Sequence, residues 1–320
     1  VQWPNGKRLA LWVNVSLQFF PLNPTGSPIK LPGNMTMPYP DLRHFSLRDY
    51  GNRVGIFRVL DALDAAGIRP TVAVNGRLAE RLPRLLDVVI DRGDEIIGHS
   101  WSMDTAHATG LSVDDETALI QQSLETLRER SGQTVRGWLS PGKQQRAATP
   151  DLLKAADIEY VCDWVNDDLP YRFRTHHGPL WSMPLSTELE DRFVIMDNLH
   201  PAHAWAQQVT DACDLLLDEA AEHGGRLLAI NLHPWVIGQP HRIRYLEEAL
   251  DYVAGKSEVW SAPAGEILAA LPKAPSNYHP FRKTEQAIIR RNWIIERMEI
   301  NGYITAEEAE EARAQPLGVN

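Results

Sequence analysis

Three residues of this sequence could activate water for hydrolysis: His99, Asp163 and His233. An imidazole titrates near neutrality, so it can take a proton from water and return it to a leaving nitrogen. An aspartate can orient such a histidine or act as the base itself. We therefore predict that these three are the catalytic residues, provided that the fold brings them together.

Other side chains in the same segments could bind a substrate. Arg136, together with backbone N–H groups, could stabilise an oxyanion. Indole rings at loop positions suit a concave site that stacks on planar or sugar faces. The predicted aromatic walls are Trp101, Trp138, Trp164 and Trp235.

Each candidate also has a purely structural explanation. A histidine at a strand end can be a hydrogen-bonded core residue, Asp163 can cap a turn, and a tryptophan can simply fill the core. Ser140 precedes Pro141-Gly142 and does not stand in a Gly-x-Ser-x-Gly elbow, so a serine nucleophile is not expected. No phosphate loop or dinucleotide fingerprint occurs.

The elements that must position these residues alternate along the chain. Apolar runs predict strands at 9–15, 71–74, 95–98, 134–139, 159–162, 227–231 and 258–260, with helical segments between them. This order is typical of a mostly parallel α/β sheet, open or closed into a barrel. Polar residues stand at the carboxyl ends of six of these strands: Asn14, Asn75, His99, Ser140, Asp163 and His233. Because the carboxyl ends of parallel strands carry the site, we expect these residues to converge, with Asn14 facing the substrate.

Composition narrows the class of partner. The chain has 320 residues, 43% hydrophobic and 23% charged, and a formal net charge of −10, which disfavours nucleic acid or an anionic membrane as partner. No run approaches ~18 apolar residues, and the two cysteines suggest reduced, packed thiols. The chain starts at Val1 without a signal-like segment, so we expect a cytoplasmic protein or a start removed by processing or truncation. The expected partner is a small-molecule substrate, with a homo-oligomer left open.

Five segments, in chain order, carry a resemblance to a known family: 48–55 (RDYGNRVG), 95–99 (EIIGH), 136–142 (RGWLSPG), 160–171 (YVCDWVNDDLPY) and 232–242 (LHPWVIGQPHR). Through them, residues 1–265 resemble the polysaccharide deacetylase (NodB-homology) superfamily, and most of all its allantoinase-like and cyclic-imide-hydrolase-like branch. The resemblance implies a distorted (β/α) barrel of about seven strands and hydrolysis of a carbon–nitrogen bond other than a peptide bond. It also implies that Asp49 and Arg53 bind the polar edge of the substrate.

The sequence departs from the metal-dependent members of that superfamily. Where they carry an Asp-Asp pair after the first strand, residues 13–19 (VNVSLQF) hold no carboxylate, and Gln18 stands where the allantoinase-like branch often has Glu. The fourth residue after His99 is Met103, not a second histidine, and His107 lies too far along. Catalytic zinc needs about three protein ligands, so we predict no cofactor, with a divalent metal as the alternative.

A mechanism without metal must use side chains. We expect His233 to shuttle the proton, His99 to orient water or polarise the carbonyl, and Asp163 to tune a histidine or hold substrate N–H groups. Gln18 is a further predicted substrate-binding residue. The predicted function is metal-independent opening of a cyclic ureide, cyclic imide or small amide. Two alternatives stay open: a metal-dependent polysaccharide or peptidoglycan N-deacetylase, and a non-catalytic relic that binds such a ligand.

The C-terminal region differs in character, so we divide the chain into a catalytic domain at 1–266 and a short helical tail at 267–320. A linker-like stretch at 271–278 precedes an amphipathic helix at 284–299 and a capping box that starts at Thr305. Residues 268–318 resemble the end of the glycosyltransferase domain of class A penicillin-binding proteins. The tail is either an alien fragment, which we favour, or an appendage that docks the enzyme or caps the barrel.

Overall fold

The computed structural model describes residues 1–24, 39–108, 110–271 and 305–315, together with the isolated residues 288, 291, 292 and 295. The chain divides into two compact units, Gln2–Leu268 and a second unit made of Val1 with Ala269–Asn320. The helix predicted at 284–299 lies mostly outside the described residues. The origin of the tail stays a prediction.

Nine strands of the described chain form one sheet. They are β1 (Leu9–Leu17), β2 (Thr71–Val74), β3 (Glu95–Gly98), β4 (Gly137–Trp138), β5 (Tyr160–Val161), β6 (Tyr171–Thr175), β7 (Gly178–Ser182), β8 (Arg226–Leu232) and β9 (Val259–Ser261). Their order is β6-β7-β5-β4-β3-β2-β1-β8, and β9 pairs with the start of β1. All pairs are parallel except β6 with β7. The predicted barrel-like α/β class is confirmed, and the β6–β7 hairpin is an addition that the sequence analysis did not predict.

Helices lie between the strands along the chain and after the last of them. They are α1 (Leu42–Tyr50), α2 (Ile56–Ala65), α3 (Gly76–Arg81), α4 (Pro83–Asp91), α5 (Val113–Ser131), α6 (Thr149–Ala155), α7 (Ala202–His223), α8 (Ile243–Ala254), α9 (Ala264–Ala270) and α10 (Ala306–Ala314). Wider π-helical turns at Gly51–Gly55 and Arg192–Asp197 join α1 to α2 and precede α7. Crossover helices between parallel strands are what places all the strand ends on one side.

The local sequence explains both the central strand and the helix ends. All nine residues of β1 are buried, as expected for a parallel strand covered on both faces. The side chain of Ser112 accepts a hydrogen bond from the Asp115 backbone at the start of α5, and Gly132 ends that helix in a left-handed conformation with φ 69°. The capping box predicted at Thr305 is present and opens α10.

The described residues contain two free cysteines, Cys162 and Cys213, both buried. Burial raises the pKa of the Cys162 thiol well above its ordinary value and that of Cys213 to about 11, so both thiols are protonated at neutral pH. Within the described part of the chain, no helix is both long enough and apolar enough to cross a bilayer.

Candidate active site

The carboxyl ends of the strands meet at a cleft with a free volume of about 320 Å³. Its lining residues are Ser16, Gln18, His99, Met103, Leu139, Ser140, Gly142, Lys143, Asp163, Val165, Thr187, Glu190, Arg192, Phe193, Asp197, Asn231 and His233. The three predicted catalytic residues, His99, Asp163 and His233, all lie in this cleft, as the strand-end argument predicts. Their catalytic roles stay predictions.

His233, directly after β8, is held by a carboxylate that the sequence analysis missed. Asp191 Oδ1 lies 2.8 Å from His233 Nδ1, and the other oxygen of Asp191 accepts the backbone N–H of His233 at 2.9 Å. Both side chains are buried, and burial raises the pKa of Asp191 above its ordinary value although the His233 contacts oppose that rise. An imidazole whose Nδ1–H donates to a carboxylate presents the lone pair of Nε2, so it is oriented as a base.

A second carboxylate, Glu190, stands at the other side of this ring. Glu190 Oε1 lies 3.7 Å from His233 Nε2, and Glu190 Oε2 pairs with the Lys143 ammonium at 3.0 Å. The Arg192 guanidinium lies 3.9 Å from Glu190 Oε1 and also pairs with Asp197 at 3.1 Å. Burial alone would raise the pKa of Glu190, but His233, Lys143 and Arg192 outweigh it and the pKa lies below its usual value. Glu190 is therefore a buried anion at neutral pH.

His99, at the end of β3, has neutral partners instead. Its Nδ1 donates to the Leu139 carbonyl at 2.6 Å, and its Nε2 lies 3.3 Å from Gln18 Nε2. Gln18 Oε1 accepts the Trp235 indole N–H at 3.2 Å, so the Gln18 amide nitrogen is the group that donates to His99. Burial, together with the nearby His233, lowers the pKa of His99 to about 4, although the Leu139 carbonyl acts in the opposite direction. His99 is therefore neutral at physiological pH, with Nε2 as an acceptor.

This donor set does not fit a divalent metal centred on His99. Near the end of β1 the cleft is lined by a hydroxyl and an amide, Ser16 and, just after the strand, Gln18. The Gln18 amide occupies the lone pair of His99 that a metal would need. Throughout the described ranges, no three His, Cys, Asp or Glu side chains form a metal-binding group. Catalytic zinc takes about three such ligands, and the described residues do not form a set of three around His99.

Asp163 forms hydrogen bonds to other residues near the cleft wall and makes no hydrogen bond to His99 or His233. Its Oδ1 accepts the Ser140 backbone N–H at 2.7 Å and its Oδ2 accepts Gln145 Nε2 at 2.6 Å. Burial raises the pKa of Asp163, while those hydrogen bonds act in the opposite direction. The residue that orients His233 is thus Asp191 and not Asp163, which corrects the expected tuning role.

The floor of the cleft is a small polar cluster of Asn14, Ser16 and Asn231. Asn231 Oδ1 accepts from Asn14 Nδ2 at 2.7 Å and from Ser16 Oγ at 2.9 Å. Asn14 and Asn231 are opposite each other in the β1–β8 register, which brings the two amides together. Asn14 itself lies behind the lining residues and supports Ser16 and Asn231, so its predicted contact with substrate is indirect.

The charged residues predicted to bind substrate lie outside the cleft lining. Asp49 is in the last turn of α1, and Arg53 is in the π-helical turn that follows. Their charged groups are 3.9 Å apart, and the Arg53 side chain is 76% exposed. Arg136 precedes β4, at the amino-terminal edge of the sheet and opposite the cleft, where it pairs with Glu159 at 3.9 Å. At that edge Arg136 cannot reach an oxyanion in the cleft.

The four predicted tryptophan walls have different environments. Trp138 is fully buried in the core and donates to Ser140 Oγ, and Trp101 packs beside Gly76. Trp164 is 47% exposed and donates to Gln145, which holds Asp163. Trp235 adjoins the cleft through Gln18. Among the described lining residues, Phe193 is the one Phe, Tyr or Trp side chain. The predicted tryptophan walls lie instead in the core or at the outer rim of the cleft.

Three glycines bring the turn between α1 and α2 against the loop that follows His233. A Cβ on Gly51 would lie 2.6 Å from the backbone nitrogen of Trp235, and a Cβ on Gly238 would lie 2.6 Å from Gly55 Cα. A Cβ on Gly55 would collide with the Pro234 carbonyl oxygen. Backbone meets backbone at this contact, which fixes the loop that carries His233 and Trp235.

Comparison with known proteins gives one family model and several relatives. The model for polysaccharide deacetylase matches residues 48–161. A curated Schizosaccharomyces pombe protein named as a polysaccharide deacetylase is 24% identical over 272 residues, covering 77% of this chain and 82% of the relative.

Solved structures share the fold. Puue allantoinase has a TM-score of 0.75 at 24% identity, with 85% of this chain and 93% of that chain covered. A Pseudomonas aeruginosa PAO1 structure named as a polysaccharide deacetylase has a TM-score of 0.74 at 24% identity, covering 85% and 94%. At this identity the structural likeness speaks for the fold alone.

A separate, short likeness concerns another family. Penicillin-binding protein 1A of Aquifex aeolicus is 47% identical over 76 residues, which is 23% of this chain but 10% of that protein. So small a share of the relative gives no activity to this chain.

Proposed function

We propose that this member of the polysaccharide deacetylase superfamily, a hydrolase of carbon–nitrogen bonds, opens a small cyclic ureide, cyclic imide or related amide without a catalytic metal. One observation carries the proposal: His233 is fixed by Asp191 at 2.8 Å, and its other nitrogen faces Glu190 at 3.7 Å inside the cleft. That is the arrangement of an oriented base beside a buried anion.

The chemistry follows from these atoms. Water attacks the substrate carbonyl carbon while its proton passes to His233 Nε2, and Asp191 stabilises the imidazolium that forms. Glu190 Oε1 accepts the second hydrogen of that water and directs its lone pair at the carbonyl. When the carbon–nitrogen bond breaks, His233 returns the proton to the leaving nitrogen. The ring is then open, with a carboxylic acid at one end and a nitrogen that has gained one hydrogen at the other.

The remaining cleft residues bind and orient the substrate. The Arg192 guanidinium lines the cleft and can stabilise the developing oxyanion. Lys143 has its three donors directed at Leu185, Thr187 and Glu190, so it positions Glu190 and does not bind substrate. Because His99 is neutral and its Nε2 accepts the Gln18 amide, it holds Gln18 at the cleft for contact with the substrate, and this replaces the expected polarising role.

The cleft suits a planar ring with several amide edges. Leu139, Val165 and Phe193 supply apolar surface, while Ser16, Gln18 and Asn231 supply donors and acceptors around it. A small ring buried in about 320 Å³ with convergent polar groups is typical of sites for small molecules. The polar edges of a ureide or imide alternate N–H and C=O, which matches this mixture.

The test is a hydrolysis panel on the full chain, with and without a strong chelator. Allantoin, hydantoin, succinimide, dihydrouracil and an N-acetylated chitooligosaccharide cover the substrate classes. We expect ring opening that the chelator leaves unchanged and that His233→Asn abolishes. His203→Asn, on the exposed face of α7, is the matched control. Chelator-sensitive acetate release would contradict the proposal and favour a metal-dependent N-deacetylase, and ligand binding without any turnover would favour a binding protein.

A further inference from the structure

Arg48, in the last turn of α1, is a half-buried cation beside the cleft. Its guanidinium carbon stacks 3.8 Å from the centre of the Phe20 ring and lies 6.0 Å from the Trp235 ring. Met103 lines both the small cavity that contains Arg48 and the cleft that contains His99 and His233. The guanidinium is therefore fixed at the edge of the cleft on the side of α1.

The charge of Arg48 is poorly compensated. Across the described ranges, no oxygen accepts a hydrogen bond from its guanidinium. The carboxylate that offsets its charge, Asp41, already accepts the His44 backbone N–H and lies 2.6 Å from His44 Nδ1. A guanidinium has five N–H donors, and leaving them unpaired in a partly buried place is unfavourable. Stacking on Phe20 holds the planar group but satisfies none of those donors.

A second cation acts on the charge of Arg48. Arg192 of the cleft lies close enough to repel Arg48, and burial together with that repulsion lowers the pKa of Arg48 to about 10. Arg192 shares its own charge with Asp197 and Glu190, whereas Arg48 has no such ion pair among the described residues. Two carboxylates line the same small cavity as Arg48, but Asp41 is engaged by His44 and Asp104 accepts the Ser102 hydroxyl.

The distance to the proposed catalytic group limits the size of the ligand. The Trp235 ring centre is 6.2 Å from the His233 ring centre and 6.0 Å from the Arg48 guanidinium carbon, so imidazole and guanidinium are at most about 12 Å apart. Contact with a carboxylate takes about 4 Å of that span and the attacking water about 3 Å, which leaves at most roughly 5 Å. One five- or six-membered ring fills that space.

From this geometry we infer that Arg48 binds a carboxylate carried by the substrate, so that the preferred substrate is an anionic cyclic ureide or imide. A planar guanidinium fits a carboxylate with two parallel hydrogen bonds. This inference rests on the proposed function and specifies the class of substrate for the same site. It also assigns to Arg48 a specificity role that acts away from the bond that breaks.

Binding of two rings that differ only in a carboxylate tests the site directly. Orotate and uracil are titrated calorimetrically into the full chain at low ionic strength. We expect orotate to bind at least roughly tenfold more tightly than uracil, and Arg48→Gln to remove most of that preference. Arg43→Gln, at an exposed position on the same helix, is the matched control and keeps the preference. Arg48→Lys retains charge without the planar fork and should be intermediate.

Equal affinities for the two rings, no binding of orotate, or a preference that survives in folded Arg48→Gln would each overturn the inference. Turnover of dihydroorotate against dihydrouracil separates this inference from the proposed function. If both rings are opened with equal kcat/KM, the carboxylate site is wrong and the hydrolase proposal stands. If orotate is preferred in binding but neither dihydro ring is opened, the carboxylate site stands and turnover of this ring class is contradicted.

Discussion

His233 and His99 follow strands of the same sheet and lie buried in the same cleft, yet their surroundings have opposite electrical character. His233 stands between two carboxylates, Asp191 on one ring nitrogen and Glu190 near the other. His99 has a backbone carbonyl on one nitrogen and the Gln18 amide on the other. One histidine is therefore prepared to carry a positive charge, and the other is kept neutral.

This difference shows that position at a strand end does not determine what a histidine can do. An imidazole beside a carboxylate can gain a proton during a reaction, because the charge that forms is already compensated. An imidazole with neutral partners in a buried place can only donate or accept hydrogen bonds. The pair thus divides proton transfer from substrate orientation within one cleft.

The largest effect is expected from Asp191→Asn. An amide at this position no longer stabilises the imidazolium and favours the wrong tautomer, so kcat should fall by about 100- to 10,000-fold. The measurement is steady-state kinetics on whichever ring the panel identifies, with circular dichroism to verify the fold. Asp61→Asn, at an exposed position of α2, is the control. Activity within threefold of the parent would show that His233 does not depend on Asp191.

A smaller effect concerns stability and the neutral His99. Its folded pKa of about 4 lies below the ordinary 6.5, so the unfolded chain binds the proton first as the pH falls between those values. The stabilisation is therefore complete above pH 6.5 and is lost on acidification, by about 2 kcal/mol from pH 7 to pH 5 for this one group. Urea unfolding at the two pH values measures the loss, and His99→Gln should reduce it by that amount.

Gln18→Glu sharpens the same measurement without removing the histidine. A carboxylate opposite Nε2 would raise the pKa of His99, so the acid loss of stability should shrink and the proton resonances of this ring should titrate at a higher pH. The electrical character of the two histidines would then be alike. An unchanged pH dependence in both variants would contradict the neutral assignment of His99.

The smallest effect is expected from Asp163→Asn. Asp163 accepts hydrogen bonds from the Ser140 backbone and Gln145, and an asparagine oxygen can keep one of them. Loss of the other costs about 1 kcal/mol of unfolding free energy, partly offset because the buried negative charge is also removed. We expect kcat within about threefold of the parent. A loss as large as that of Asp191→Asn would restore the catalytic role that the sequence predicts for Asp163.

Much of the fold could be predicted because its signals are local. The apolar run at 9–15 and the β-branched run at 71–74 fall within β1 and β2, and the capping residues Ser112 and Thr305 begin α5 and α10 as expected. The β6–β7 hairpin was not predicted, although Tyr171 to Thr175 alternates in polarity. Its two-residue loop, His176-His177, lacks the Asn-Gly or Gly-x sequence typical of such turns.

The site was predicted only as far as the strand ends reach. His99, Asp163 and His233 directly follow strands, so parallel topology brings them to one cleft. Glu190 and Asp191 lie between β7 and α7, in a segment without an apolar period, and only the folded chain brings them to His233. The adjacent acidic pair within segment 189–196 (LEDRFVIM) was the available signal. Partners that depend on such long loops cannot be read from spacing.

The contact of Gly51, Gly55 and Gly238 has a practical consequence for altering substrate choice. Because backbone touches backbone there, randomising any of the three positions would mostly yield molecules in which the His233 loop is displaced. Met103, Val165 and Phe193 line the cleft with side chains that make no hydrogen bond. A compact mutant library that varies those three positions and leaves the glycines intact would sample new pocket shapes while conserving the proton-transfer apparatus.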